Sequence, residues 1–219
     1  MESNRVSQRA PHFSLLADSQ LREIHRSALE ILRRTGIDIL EEEARALLQE
    51  AGATMNGHRA HIPPHLLEWA ISTAPSREVL CDSRSGAPTM YLEGRRSYYG
   101  TGSDTIATID PYTGERRSPL KSDIRRAAQL CDALSHIDFV MSMALPEEVP
   151  PNKLYATVFA EMVKNTTKPL IVTATCLEDI KHIHKMAVIV SGDEASFRKK
   201  PFYIAYLEPI SPLKFDRSI

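Results

Sequence analysis

Cysteine is scarce in this chain and follows no pattern. Cys81, Cys131 and Cys176 lie far apart, without a CxxC pair or an even set. That excludes a disulfide scaffold and fits buried thiols in a reducing cytosol. Glycine-rich nucleotide signatures are missing as well, since neither GxGxxG nor GxxxxGK(S/T) occurs. No charge sign is in excess. Lys plus Arg number 27 against 28 for Asp plus Glu, a net charge of -1, which gives nucleic acid or an anionic membrane nothing to bind. Apolar runs are too short to cross a bilayer. Met1–Pro11 is polar and charged where a secretory signal would be apolar. A cytoplasmic protein without membrane or nucleic-acid partners is expected.

What is present is ordinary globular material. The chain has 219 residues, 42% hydrophobic and 25% charged, enough to bury a sizeable core as one or two domains. Its first third reads as helices. Leu21, Ile24, Ala28, Ile31 and Leu32 recur at helical spacing, with Ser19 as N-cap and Gly36 as stop. A second helix spans about Glu42–Ala51, and a third opens at Pro63-Pro64 and closes at Pro75, with a short extended piece, His58–Ile62, between them. The middle reads as short strands at Glu78–Cys81, Thr89–Leu92, Ser97–Tyr99 and Thr105–Ile109, followed by a turn at Pro111–Glu115. From Ser118 onward, helices (Lys121–Leu134, Lys153–Lys164, Glu178–Val190) alternate with strands (Ile137–Met143, Pro169–Ala174, Phe202–Leu207). That rhythm predicts βαβ units and a parallel sheet. A barrel or a doubly wound open sheet both fit; a closed (β/α)8 barrel takes about 250 residues, and of an open sheet and a barrel fragment the expectation is the fragment, an α/β chain carrying a partial TIM barrel. Residues 1–76 would be a helical extension, 77–117 a β-rich insert and 118–219 the first part of the barrel.

Two segments could carry chemistry. Tyr98-Tyr99-Gly100-Thr101-Gly102-Ser103-Asp104-Thr105 combines two aromatic rings, two glycines and several oxygen-bearing side chains. Glycines let backbone approach a ligand, and tyrosine faces attract quaternary ammonium groups. The same run also reads as a hairpin whose tyrosines cap the core. Glu208 and Ser211, in Tyr206–Leu213, follow an apolar strand. In parallel barrels catalytic groups stand at strand C-termini, although a loop carboxylate ordered by its prolines fits equally. The strand ending in Thr173, Thr175 and Cys176 and the one leading into Pro146-Glu147-Glu148 have the same polarity. Asn165–Pro169, at a strand's other end, reads as helix termination. No metal site is expected: His182 and His184 are two apart on a helix, and His58, His61 and His65 have no cysteine or paired carboxylate beside them.

Several further pieces occur in a telling order. They are Arg33-Arg34-Thr35-Gly36-Ile37, Glu50-Ala51-Gly52-Ala53, Ile62-Pro63-Pro64, Thr73-Ala74-Pro75 and Asp110–Arg117. Asp132-Ala133-Leu134, Ile137-Asp138-Phe139-Val140, Val149-Pro150-Pro151 and Asn165-Thr166-Thr167-Lys168-Pro169 follow. From about Leu21 to Leu213 the chain resembles the trimethylamine:corrinoid methyltransferase family, in its N-terminal half. The resemblance implies a TIM barrel with a helical extension, and methyl transfer from a methylamine to the Co(I) corrinoid of a separate protein. No permanently bound cofactor of its own is expected. The branch expected is the one without pyrrolysine, acting on a quaternary amine such as glycine betaine. Tyr98, Tyr99, Thr101, Ser103, Asp104 and Ser211 would bind substrate, and Glu208 would be the catalytic carboxylate. A trimethylamine enzyme with pyrrolysine beyond Ile219, or a truncated amine-binding or interaction module without turnover, are the alternatives. Open strand edges in a partial barrel imply self-association as a homo-oligomer.

Overall fold

A computed structural model of the chain describes residues 14–215; the Met1–Pro11 stretch lies outside them. The fold is mixed α/β, and the described residues form no closed barrel. Two compact units emerge, Ser76–Tyr206 and a second one made of residues 14–75 and 207–215.

In the second unit, α1 (Asp18–Glu30) runs into a π-helical turn, Ile31–Thr35. Gly36 stops it at φ 72, where a Cβ would lie 2.6 Å from the Ala60 carbonyl oxygen. Then follow β1 (Ile37–Ile39), α2 (Glu42–Glu50), β2 (Thr54–Asn56), β3 (Arg59–His61) and α3 (Pro64–Thr73). The sheet is completed by a short strand not foreseen in the sequence, Lys214–Phe215, which pairs parallel with β1. Two residues are too few for a periodicity signal, so only contact reveals it. Ile37, Ile39 and Ala60 form this unit's core with Leu48 and Phe215 against them. A two-pronged ion pair from Arg59 to Asp38, at 3.0 and 2.7 Å, clamps β3 to β1. The apolar stripe of α1 stays in solvent: Leu21, Ile24 and Ile31 are exposed.

The larger unit opens with the hairpin β4 (Arg77–Cys81) and β5 (Pro88–Glu93), then the small hairpin β6 (Thr108–Ile109) and β7 (Arg116–Arg117). After it come α4 (Lys121–Ala133), α5 (Leu154–Asn165), β8 (Leu170–Val172), α6 (Leu177–Ser191), α7 (Glu194–Lys199) and β9 (Tyr203–Ala205). Helix α7 was not expected. Asp193 caps it by accepting from the Ser196 N–H at 2.7 Å.

Beneath these helices lie four backbone stretches, all parallel and in chain order. Gly100 and Thr105 bridge Phe139 and Ala144, Val140 bridges Leu170, and β8 pairs with β9. The expected strand Ser97–Tyr99 is therefore corrected to a stretch from Tyr99 that bridges at Gly100 and Thr105, and of Thr105–Ile109 only Thr108–Ile109 is strand. Ile137–Met143 makes only single bridges. Side chains take over the missing ladder bonds. Thr101 Oγ1 accepts from the Met141 N–H at 2.8 Å and donates to the Met141 carbonyl at 3.2 Å. Gly100 lets the segments close up, because a Cβ there would collide with the Phe139 ring and lie 2.6 Å from its carbonyl oxygen.

The core sits between this parallel layer and the helices. Phe159, Met162, Leu170, Ile183, Ala187 and Phe202 are essentially inaccessible, and each large side chain so buried contributes about 1.5–3 kcal/mol. The Asn165–Pro169 turn terminates helices at both ends of its reach. Asp132 accepts from Thr166 Oγ1 and the Thr167 N–H, both at 2.8 Å, while Lys168 Nζ donates to the Cys131 and Leu134 carbonyls at 2.5 and 2.6 Å. Burial of that ammonium lowers its pKa.

Gly100→Ala is expected to destabilise the fold by about 1–3 kcal/mol through overpacking against Phe139, read from urea unfolding. At the start of α4, Asp123 accepts from both terminal guanidinium nitrogens of Arg117 and from the Leu120 N–H. Arg117, the larger influence, and the backbone bond hold its carboxyl below the usual carboxylate range. The stability it contributes is complete above the ordinary carboxylate pKa and is lost as pH falls through the depressed folded value. Asp123→Asn should cost about 1 kcal/mol near neutrality, with the gap to wild type in thermal midpoint closing in acid.

Candidate functional site

The ends of the parallel stretches gather oxygen-bearing side chains. The first stretch ends at Asp104, held in left-handed backbone at φ 58, and the second at Met143, φ 62. Such backbone is uncommon outside glycine and clusters at functional sites. It turns Asp104 toward its neighbours: Oδ1 accepts from Ser142 Oγ at 2.8 Å and from Thr173 Oγ1 at 3.1 Å, and the Asp104 N–H donates to Ser142 Oγ at 3.1 Å. One carboxylate is thus tied to the ends of two further stretches. Ser142 is buried, while Asp104 keeps partial access to solvent.

A second carboxylate stands at the start of α6. Asp179 is buried and accepts from the Thr175 N–H, from Thr175 Oγ1 and, at 3.4 Å, from Cys176 Sγ. Tyr155, on the first turn of α5, lies within electrostatic range of both. Burial, and then the charges of Asp104 and Asp179, push its phenol pKa up. The phenol therefore stays protonated and is a hydrogen-bond donor throughout the neutral range. It finds no partner among the described residues. The ensemble is a half-buried anionic patch suited to holding a cation against its carboxylates, with the Tyr155 phenol beside them as a spare donor. Among the described residues no cluster of His, Cys, Asp or Glu has the makings of a metal site.

The residues singled out from sequence are distributed as follows. Asp104 is in this patch, and Thr101 and Ser103 precede it on the same stretch, with the Thr101 hydroxyl spent on Met141. Tyr98 and Tyr99 lie at the opposite end of that stretch, roughly 15 Å back along extended chain. The Tyr98 hydroxyl accepts from the Tyr91 N–H and donates to the Tyr91 carbonyl. Tyr99 is 66% exposed, and its N–H donates to Asp138 Oδ2. The ring that does face cations is Tyr91, with Arg77 and Arg96 at 5.3 and 5.1 Å from its centroid. Glu208 and Ser211 are exposed and belong to the other compact unit. Ser142, Tyr155 and Asp179 were not picked out. Nothing in their local sequence distinguishes them from surface polar residues; only strand polarity hinted at Thr173 and Thr175.

The family model of the trimethylamine methyltransferases matches residues 1–219. The chain belongs to this family. Among its relatives, a trimethylamine methyltransferase MttB of Desulfitobacterium hafniense (strain DSM 10664 / DCB-2) is 31% identical over 90% of this chain and 40% of its own length. A glycine betaine methyltransferase of Desulfitobacterium hafniense (strain Y51) is 23% identical, over 96% of this chain and 44% of its own length. Trimethylamine methyltransferase MttB2 of Methanosarcina mazei is 28% identical over 93% and 42%. The chain thus spans about two fifths of the length of these methyltransferases. No helix among the described residues is long and apolar enough to cross a membrane.

The Asp104–Thr173 bond is testable by a double-mutant cycle. Thr173→Val is expected to cost about 1 kcal/mol, whereas in an Asp104→Gly background, which keeps the left-handed backbone, the same change should cost nothing. Equilibrium unfolding in urea measures both.

Proposed function

We propose that the protein of which this chain is part moves a methyl group from a quaternary amine of the glycine betaine type to the corrinoid of a partner protein. In this reading the four parallel stretches are the opening strands of a (β/α)8 barrel, and the patch around Asp104 is the amine-binding side of its C-terminal face. The observation that carries it is Asp104: a carboxylate in left-handed backbone at a strand end, tied to two neighbouring strand ends. Family membership supplies the reaction class, and the three free cysteines suit a cytoplasmic setting.

A quaternary ammonium has no lone pair to protect and already contains its leaving group. The C–N bond breaks with its electron pair staying on nitrogen, which departs as a neutral tertiary amine. The corrinoid supplies the electron pair that takes up the methyl group. This chain's residues bind, orient and keep water out. A bare carboxylate against the ammonium would favour the charged ground state over a transition state in which that charge is fading. The hydroxyls of Ser142 and Thr173 soften the Asp104 charge, so its role is recognition more than rate. The Tyr155 phenol is a suitable donor to the carboxylate end of a betaine. Tyr98 and Tyr99, which sit at the far end of the first strand, are given the task of fixing that strand against Tyr91 and Asp138.

Trimethylamine is the second reading, favoured by the higher identity to a trimethylamine methyltransferase than to the glycine betaine enzyme. Transfer to free cob(I)alamin by the full-length protein, followed by absorbance, separates the two: turnover of glycine betaine without trimethylamine supports the proposal, and the reverse selects the second reading. Asp104→Asn is expected to raise KM roughly tenfold, the equivalent of one weakened ion pair, while kcat changes little. Tyr99→Ala separates recognition from support: a KM rise equal to that of Asp104→Asn would return Tyr99 to the binding site.

A further inference from the structure

A cavity of about 250 Å³ lies at the other end of the parallel stretches from the Asp104 patch. Its rim is the β4–β5 turn, docked through the Cys81 N–H on the Pro201 carbonyl and the Ser83 N–H on the Thr167 carbonyl, both at 2.8 Å. Pro201 and Thr167 lead into β9 and β8, so this is the N-terminal edge of the layer whose other edge carries Asp104.

The lining is cationic. Arg84, Lys199 and Lys200 face one carboxylate, Asp82. Asp82 Oδ1 is already occupied by the Arg84 N–H, the Ser85 N–H and the Ser85 hydroxyl at 2.7–2.9 Å. Neither lysine has an ion-pair partner among the described residues, and Arg84 spends one nitrogen on the Lys164 carbonyl. Lys200 is folded across the turn: at Gly86, φ 66, a Cβ would come 2.9 Å from its Nζ. Finally, Ser83, a lining residue, buries a hydroxyl that has no hydrogen-bond partner, a rare condition that costs free energy unless a ligand answers it.

We propose that this cavity binds a phosphate group, with Lys199, Lys200 and Arg84 neutralising it and Ser83 donating to one of its oxygens. The volume suits a small oxyanion with some water and is below the size of drug-like pockets. Occupancy would pin the β4–β5 turn to the α7–β9 connection and stabilise the larger unit by mass action, independently of the amine chemistry.

The test uses inorganic phosphate on this chain, with sodium chloride at matched ionic strength as control. Phosphate should raise the thermal midpoint beyond chloride, and titration calorimetry should give a saturable isotherm. K199Q/K200Q, two changes at exposed positions, should weaken phosphate binding roughly tenfold, since two charge-assisted hydrogen bonds are lost. Ser83→Ala should keep or raise the midpoint without phosphate, as it deletes an unpaired hydroxyl, yet reduce the phosphate response. Equal midpoints in phosphate and chloride, or a phosphate response that survives K199Q/K200Q unchanged, overturn the proposal.

Discussion

The contact between residues 99–105 and residues 139–144 governs the larger unit. Two backbone stretches run parallel there with few of the regular ladder bonds a sheet would supply. Thr101 and Ser142 replace them with hydroxyls, and Gly100 removes the one atom that would hold the stretches apart. A short hydroxyl side chain can both accept and donate, so it satisfies an N–H and a carbonyl that would otherwise be stranded. Between these bonds Asp104 and Met143 adopt left-handed backbone, and pairing resumes at Thr105, whose N–H donates to the Met143 carbonyl and whose carbonyl accepts from the Leu145 N–H. Ser142 ties the Asp104 carboxylate into the same contact.

The helices hold that arrangement from behind. Phe159 and Phe202 stack at 6.4 Å between centroids, Phe197 meets Phe202 edge-on at 5.8 Å, and Tyr203 closes the group. This aromatic knot joins α5, α7 and β9, so the last strand is fixed to helices that flank the third. At the opposite end, Lys168 and Asp132 terminate α4 and hold the turn into β8. That end of the layer carries these structural bonds beside the Ser83 cavity, while the other has two carboxylates with partial or full burial and a phenol without a partner among the described residues. An amine site at the second end is consistent with the rule that parallel strands carry chemistry at their C-termini.

Hydrophobic periodicity was enough to find α2, α3, α4, α5 and α6 within a residue or two, because each has an apolar face of several turns or prolines at its edge. It also indicated α1, yet not that its stripe would remain exposed, since periodicity records amphipathicity and not what covers it. Strands of two or three residues left no usable period; Lys214–Phe215 and the single bridges at Val140 and Ala144 are known only from their partners. Among the candidate residues, Asp104 is the one tied to other strand ends, and the glycines and hydroxyls around it in sequence mark backbone that must approach something. Tyr98 shows what a sequence leaves open: an aromatic that hydrogen-bonds a neighbouring strand looks the same there as one that faces a ligand.

Composition and order of motifs by themselves determined that this is an α/β chain of one recognisable methyltransferase family, with helices first and alternating units after. Such properties depend on local propensity and on spacing along the chain, and they survive without knowledge of contacts. Tertiary structure alone decided that Ser142, Thr173, Tyr155 and Asp179 converge near Asp104, and that Ser83, Lys199 and Lys200 meet more than a hundred residues apart. The physical reason is that a carboxylate acquires its partners, burial and effective charge from side chains brought in by other strands and helices, and the sequence does not encode that meeting at any one place.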